Sequence, residues 1–281
     1  MAANSNEIRA LRKRAAQLRR NLIDMIPPGK VGHLGGSSSI MDVVAALYFK
    51  TMNVFEDPKD PRRDRLVLSK GHAVLAQYAA FVELGYVERE ALKHVKTLEG
   101  TLQGHPDMDH TPGIEAVTGS LGQGLSVCLG MAFGLRLDGS DARVYCIIGD
   151  GELAEGQIWE AVMAASAYQM DNLCAIVDVN RVQATDGVDH VLPNPNLKEK
   201  WEAFGWKAIE IDGHDMDQIL TALEEAKATR NQPTVILANT IKGKGFSFAE
   251  GKAAYHNASM NEEEYAQARE MVRKMLEEAE S

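Results

Sequence analysis

Gly149-Asp150-Gly151 and Asn180 are the residues of this chain whose types and spacing point most directly to chemistry. A carboxylate and a side-chain amide oxygen suit a hard divalent cation, if the 30 residues separating Asp150 from Asn180 bring the two together. The intervening pattern predicts that they do. Residues 144–148 are a short apolar run of strand composition, residues 155–168 carry apolar side chains at helical spacing, and residues 173–177 are a second apolar run. Strand, helix and strand make a right-handed crossover with two parallel neighbours, so both strand ends open at one sheet edge, where α/β sheets bind ligands. Magnesium usually takes one or two carboxylates plus phosphate oxygens from a ligand. Glycines at 149 and 151 allow close approach to the backbone, and the N-terminus of the following helix favours an anion. The pattern predicts a diphosphate–metal site, with calcium or manganese as alternatives to magnesium. Asp-Gly alone is also a common surface turn; the second strand with Asn180 in register is what favours the site.

The elements that must position this site are read from the rest of the chain. Residues 7–26 have a helical apolar stripe that Pro27-Pro28-Gly29 stops. Gly32-His33-Leu34-Gly35-Gly36-Ser37 is too glycine-rich for a helix or strand, and Ser38 or Ser39 caps a helix over residues 40–52. Leu66-Val67-Leu68 is a short strand that runs into Ser69-Lys70-Gly71-His72 and a helix over 73–84. Residues 101–113 form a long irregular loop containing Gly104-His105-Pro106, the kind of segment that is often functional. Thr118-Gly119-Ser120-Leu121-Gly122-Gln123-Gly124 opens a helix to about residue 137, without the dinucleotide fingerprint. Further strands are expected over 206–211 and 233–239, and a helix over 215–229. Residues 186–200 read as a polar connection, and residues 243–257, which contain His256, as a mobile one. A loop histidine is usually a surface residue, and His72 could equally cap its helix, but histidines recur at several glycine turns.

Composition sets limits. With 281 residues, the chain suffices for one large domain, expected over residues 1–281, with a frayed terminus over 1–6 and a last helix over 262–278. A net charge of −10 argues against general nucleic-acid binding. No apolar run has bilayer length and the Arg-rich N-terminus has no signal core, so a cytoplasmic location is expected. Cys128, Cys146 and Cys174 lie in apolar stretches without metal-like spacing and read as core thiols. The fold class expected is α/β, a doubly wound, mostly parallel sheet with helices on both faces.

The Gly149-Asp150-Gly151 to Asn180 unit resembles the thiamine diphosphate-binding motif, and Gly-Asp-Gly-Glu-Leu-Ala-Glu-Gly is similar to the transketolase version of it. The segments around His33, His72 and His105, the stretch Thr111-Pro112-Gly113-Ile114-Glu115 and the one from Thr118 to Gly124 resemble the same family in order and spacing, over about residues 8–260. The resemblance implies that Asp150, Asn180 and the Val182 carbonyl hold the metal. It implies that His33, His72, His105 and His256 line the substrate channel, with His72 also at the cofactor. Gly119 and Leu121 would contact the aminopyrimidine ring, Gly151 the diphosphate, and Glu155 would couple to a glutamate of the partner. Thiamine diphosphate would carry the hard step, while histidines move protons and stabilise charge.

A full transketolase-like chain has two further domains, which supply that glutamate and the residues for the sugar phosphate. The expectation is therefore an N-terminal subunit of a split transketolase, inactive alone, in an α2β2 heterotetramer with a C-terminal subunit. It would transfer a two-carbon ketol unit from a ketose phosphate such as xylulose 5-phosphate to an aldose phosphate such as ribose 5-phosphate. An unusual ketose phosphate from sugar catabolism fits this half equally well. Competing readings are a 2-oxo acid dehydrogenase α-type subunit, a deoxyxylulose phosphate synthase, a non-catalytic interaction subunit and a nucleotide-binding Rossmann protein. Gly-flanked histidines and the Gly-His-Pro loop favour transketolase.

Overall fold

The computed structural model describes residues 4–280. Five strands form one parallel sheet in the order β1-β2-β3-β5-β4. They are β1 (Arg65–Leu68), β2 (Val144–Gly149), β3 (Leu173–Val179), β4 (Lys207–Asp212) and β5 (Thr234–Asn239). Their apolar runs follow from burial on both faces, as parallel sheets require. Alternate residues divide between two cores: Tyr145 and Ile147 enter one, Val144, Cys146 and Ile148 the other. All three cysteines are buried and free.

Among the described residues there are ten α-helices. In chain order they are α1 (Ser5–Met25), α2 (Leu34–Ser39), α3 (Met41–Ala46), α4 (Val74–Leu84), α5 (Gly124–Leu137), α6 (Gly156–Ala167), α7 (Val188–Val191), α8 (Leu197–Ala203), α9 (Met216–Ala228) and α10 (Glu262–Glu278). The first core takes buried residues of α1, α3, α4, α9 and α10, and the second those of α5, α6 and α8. None of the helices among the described residues is long and apolar enough to cross a membrane. The α10 helix begins with a reciprocal capping box between Asn261 and Glu264.

The structure differs from several expectations. Fraying is expected over residues 1–6, but Asn4 caps α1 through its side chain and Ser5 is already helical; residues 1–3 lie outside the described residues. The glycine-rich stretch after His33 is helical. Its glycines serve close packing: a Cβ at Gly35 would lie 2.9 Å from both the Lys242 side chain and the Tyr255 carbonyl, and one at Gly36 would lie 3.3 Å from the His72 ring. The connection over 186–200 contains α7 and the start of α8. The segment over 243–257, expected to be mobile, is packed down by Phe246 and Ala249, both fully buried.

Phe246→Ala should destabilise the chain by about 3 kcal/mol in urea unfolding, through lost burial and a residual cavity. Ser247→Ala, at an exposed neighbour, should stay within about 0.5 kcal/mol. Equal effects would mean that the segment is not anchored through Phe246.

Candidate active site

The carboxyl ends of β1, β2, β3 and β5 open at one edge of the sheet, and the residues that follow them meet there. Gly149 is in register with Asp178. Asp150 therefore stands beside the end of β3, and its Oδ2 accepts the Arg181 N–H at 2.5 Å. Its Oδ1 accepts the Gly151 N–H at 2.8 Å. Asn180 donates through Nδ2 to Asp178 at 2.6 Å and accepts the Val182 N–H on Oδ1 at 3.0 Å. The orientation of the Asn180 amide is thus fixed by the carboxylate behind it. The Val182 carbonyl accepts from the Lys242 ammonium at 2.8 Å.

The cause of this order lies one layer deeper. Asp178 is fully buried, and it accepts from the Lys70 ammonium at 2.6 Å, from Ser39 Oγ at 2.7 Å and from the Thr240 hydroxyl. Lys70, only 2 % exposed, also donates to the Gly36 carbonyl at 2.8 Å. Burial opposes charge on Asp178, but Lys70 and the hydroxyls hold its carboxyl below the usual value. Among the described residues Asp150 has no such cationic or hydroxyl partner. Burial, and then the Asp178 charge, push it up to about 6. A second buried carboxylate, Glu152, accepts from Ser69 Oγ at 2.5 Å, from Gly122 N at 2.8 Å and from Gly149 N at 3.0 Å. It ties together the turns after β1 and β2 and the glycine loop before α5.

Four imidazoles form a contiguous cluster beside this edge. The His33 ring centroid lies 5.4 Å from that of His72, 5.8 Å from that of His105 and 5.6 Å from that of His256, and His72 and His256 are 4.7 Å apart. The cluster is built by pairings distant in sequence. Gly32 and Ala258 exchange backbone hydrogen bonds, which set the His33 and His256 loops together. His105 lies under Gly119, whose φ of +144° is left-handed and where an added Cβ would sit 3.1 Å from the ring. His72 does not cap α4, which has no side-chain cap. Burial lowers all four. It acts with the Lys96 charge on His33, which falls to about 3, and on His105; with Lys70 on His72, which falls to about 2; and with Lys242 and Lys70 on His256, which falls to about 4. The cluster is neutral near pH 7, a set of hydrogen-bonding groups suited to hydroxyls and carbonyls.

Other anticipated residues are placed as follows. Gly151 and Asp150 line a cleft of about 390 Å³ beside Gln183. Leu121 and Glu155 are exposed, and Glu155 packs against Gly122. The helix expected over residues 155–168 is α6, and residues 151–154 form a short 3-10 turn before it. The N–H groups of Gly149 and Gly151 are already engaged, so the turn does not present them free. Among the described residues no group of three or more His, Cys, Asp or Glu is poised to hold a metal alone. Sequence reasoning misses Lys70, Glu152, Asp178 and Lys242. The available signal is a charge inside an apolar strand, Val177-Asp178-Val179, and a lysine at each of two glycine turns.

The model of the family described as transketolase, thiamine diphosphate binding domain, matches residues 11–275. The chain belongs to this family. It is 46% identical to the 6-deoxy-6-sulfo-D-fructose transketolase subunit SqwG of a Clostridium species over 254 residues, 90% of this chain and 92% of that protein. It is 38% identical to an apulose-4-phosphate transketolase subunit of Phocaeicola vulgatus over 275 residues, 98% of each chain. Human transketolase is 39% identical over 90% of this chain, which spans 40% of that protein. The crystal structure of Campylobacter jejuni transketolase superposes with a TM-score of 0.85 and 34% identity, over 94% of this chain and 42% of the other. The fold is that of a thiamine diphosphate-binding α/β domain.

Two outcomes are expected from this geometry. Asp150→Asn removes a carboxylate whose charge is opposed by burial and by Asp178. It should cancel any rise in melting temperature at pH 8 that magnesium with thiamine diphosphate gives the wild type. A magnesium-dependent rise that survives the substitution would exclude Asp150 as a ligand. The histidines set a pH dependence. An imidazole lowered from 6.5 to about 2, as in His72, binds its proton less readily folded than unfolded. Its stabilisation is complete above about pH 6.5 and is lost as the pH falls through the window below it. Asp150, raised to about 6, acts in the opposite sense and partly offsets this. His72→Gln should therefore flatten the fall in stability between about pH 6.5 and 4 in urea titrations. An unchanged slope would mean that His72 is not held neutral by the fold.

Proposed function

We propose that this chain is the cofactor-binding subunit of a split transketolase, which transfers a two-carbon ketol unit from a ketose with an anionic end group to an aldose phosphate. The observation that carries this reading is the neutral cluster of His33, His72, His105 and His256 beside the edge that holds Asp150 and Asn180. The Asp150 carboxylate, the Asn180 Oδ1 and the Val182 carbonyl are hard oxygen donors. With phosphate oxygens and water they fit magnesium, and the uncompensated charge of Asp150 favours a cation there. For Val182 to take part, Lys242 must release or share its carbonyl.

Thiamine diphosphate, when bound, supplies the nucleophilic carbon and the electron sink for the transferred unit. Gly151 would approach the diphosphate, and Gly119 and Leu121 the aminopyrimidine ring. His72 and His256 sit nearest the Lys70 and Lys242 charges and would hydrogen-bond close to the cofactor. His33 and His105 would bind the hydroxyls and carbonyl of the sugar and shuttle protons among them. Exposed Glu155 would meet the glutamate of a partner subunit, and the assembly would be an α2β2 heterotetramer that needs both chains for activity. The identity of 46% to the sulfofructose subunit, against 39% to human transketolase, favours a specialised ketose donor over xylulose 5-phosphate.

The test is reconstitution. The chain mixed with a candidate C-terminal subunit, thiamine diphosphate and magnesium should transfer ketol units, and the chain alone should not. Release of carbon dioxide from a 2-oxo acid instead would favour a dehydrogenase-type subunit. In the active pair, His105→Ala should lower kcat about 100-fold and leave the cofactor affinity within about twofold. The reverse pattern would move His105 to the cofactor.

A further inference from the structure

Another histidine stands at a glycine turn, outside the cluster. His214 follows Gly213 between β4 and α9, and 13 % of its side chain is exposed. Gly213 lets this turn close on the end of β5. Its N–H donates to the Asn239 carbonyl at 2.8 Å, and an added Cβ would lie 2.5 Å from the Thr240 Cγ2. His214 Nδ1 lies 2.9 Å from Asp42 Oδ2, and His214 Nε2 accepts the Ile241 N–H at 2.9 Å. Asp42 accepts in turn from the Arg19 guanidinium through both oxygens, at 3.0 and 2.8 Å.

These neighbours select one tautomer. Burial opposes charge on Asp42, but Arg19 and the hydrogen bond from His214 hold its carboxyl well below the usual range. An ionised carboxylate only accepts, and a backbone N–H only donates. The tautomer that serves both carries its proton on Nδ1 and leaves Nε2 bare. Arg19 also donates through Nε to the Lys244 carbonyl at 3.2 Å, which Ser38 Oγ bonds at 2.5 Å. The turn from Ile241 to Lys244 is thus held at its first N–H and at its last carbonyl by one buried unit. Between these points lies Lys242, only 2 % exposed, whose ammonium donates to the Val182 carbonyl at 2.8 Å and meets His256 Nδ1 at 3.0 Å. A buried ion pair is a poor device for stability, since apolar residues of similar volume often serve as well. Here its polar arms reach the backbone on either side of one lysine.

We propose that His214, oriented by Asp42 and Arg19, is a positioning residue that sets the Ile241 backbone and, through it, the placement of Lys242 against His256 and the Val182 carbonyl. That this placement serves ketol transfer rests on the transketolase reading above. The unit acts from behind the strand edge, without touching cofactor or sugar.

The experiment is a double-mutant cycle in the assembled enzyme with thiamine diphosphate and magnesium. His214→Phe removes both hydrogen bonds and keeps a ring, whereas His214→Gln keeps a side-chain acceptor for the Ile241 N–H. His214→Phe should lower kcat about tenfold, the scale of one buried hydrogen bond, and His214→Gln should recover most of that loss. In a Lys242→Met background, His214→Phe should change kcat by less than about twofold, because the residue through which it acts is gone. The same loss in both backgrounds, or no loss in either, would overturn the assignment. If the assembly transfers no ketol unit, the transketolase reading fails separately. The positioning role is then read in the full chain by heteronuclear NMR of the imidazole nitrogens. Wild-type His214 should carry its proton on Nδ1. His214→Phe should move the His256 Nδ1 resonance as Lys242→Met does, and the two together should move it no further than Lys242→Met alone. A His214 proton on Nε2, or a His256 resonance unmoved by His214→Phe, would contradict the proposal. The wild-type tautomer decides even if His214→Phe does not fold.

Discussion

The buried ion pair between Lys70 and Asp178 is the constraint on which the site depends. Removing two charges from water is expensive, and such a pair persists only with good geometry and with its remaining hydrogen-bonding positions filled. Here Ser39, Thr240, Asn180 and the Gly36 carbonyl fill them. Those partners come from α2 and from the ends of β3 and β5, while Lys70 itself follows β1. Satisfying one carboxylate therefore fixes the relative positions of several loops. Removing either charge would leave the other buried and unpaired, which typically costs about 3–5 kcal/mol. The pair is thus better understood as a device for geometry than as a source of stability.

The distribution of charge around that pair separates three environments within a few residues. Asp178 is compensated. Asp150, beside it, is not, and burial and then the Asp178 charge push it up to about 6. Lys242 is lowered to about 8 by burial and by Lys70, and bonds the Val182 and Gln183 carbonyls and His256 Nδ1. An ammonium thus rests on a carbonyl proposed for a divalent ion, and the proposed cation and Lys242 compete for the same oxygen. The histidines are held neutral by burial and then by nearby lysines, Lys96 at His33 and His105, Lys70 at His72, and Lys242 with Lys70 at His256. A protonated imidazole would add to the existing positive charge, so the cluster favours polar, uncharged contacts.

How much of this is legible in the sequence depends on the range of the interaction. The strand-turn-helix-strand unit around Asp150 is legible because parallel strands buried on both faces leave continuous apolar runs. Asn180 then lies at the same edge by simple topology. The histidines stand out because glycine turns give a loop histidine little local reason to exist. The helix over residues 34–39 is not legible, since its glycines and serines have poor helical propensity. They are needed instead where Lys242, Tyr255 and His72 approach closely. The partners of Lys70, Glu152 and Asp178 are hidden because each lies on a different element, and no local pattern records a contact across more than 100 residues such as that of Lys70 with Asp178. The packing of Phe246 is hidden because glycine and lysine dominate its neighbours.

The central claim is that the strand edge assembles a cation site from Asp150, Asn180 and Val182 for a diphosphate cofactor. The most direct measurement is a crystal structure of the reconstituted assembly with manganese and thiamine diphosphate, with the metal located by its anomalous scattering. The account predicts one anomalous peak about 2.1–2.3 Å from the Asp150 carboxylate, the Asn180 Oδ1 and the Val182 carbonyl, with the Lys242 ammonium displaced from that carbonyl. A peak bound elsewhere, or a cofactor bound with Lys242 still on Val182 and no metal between them, would contradict it.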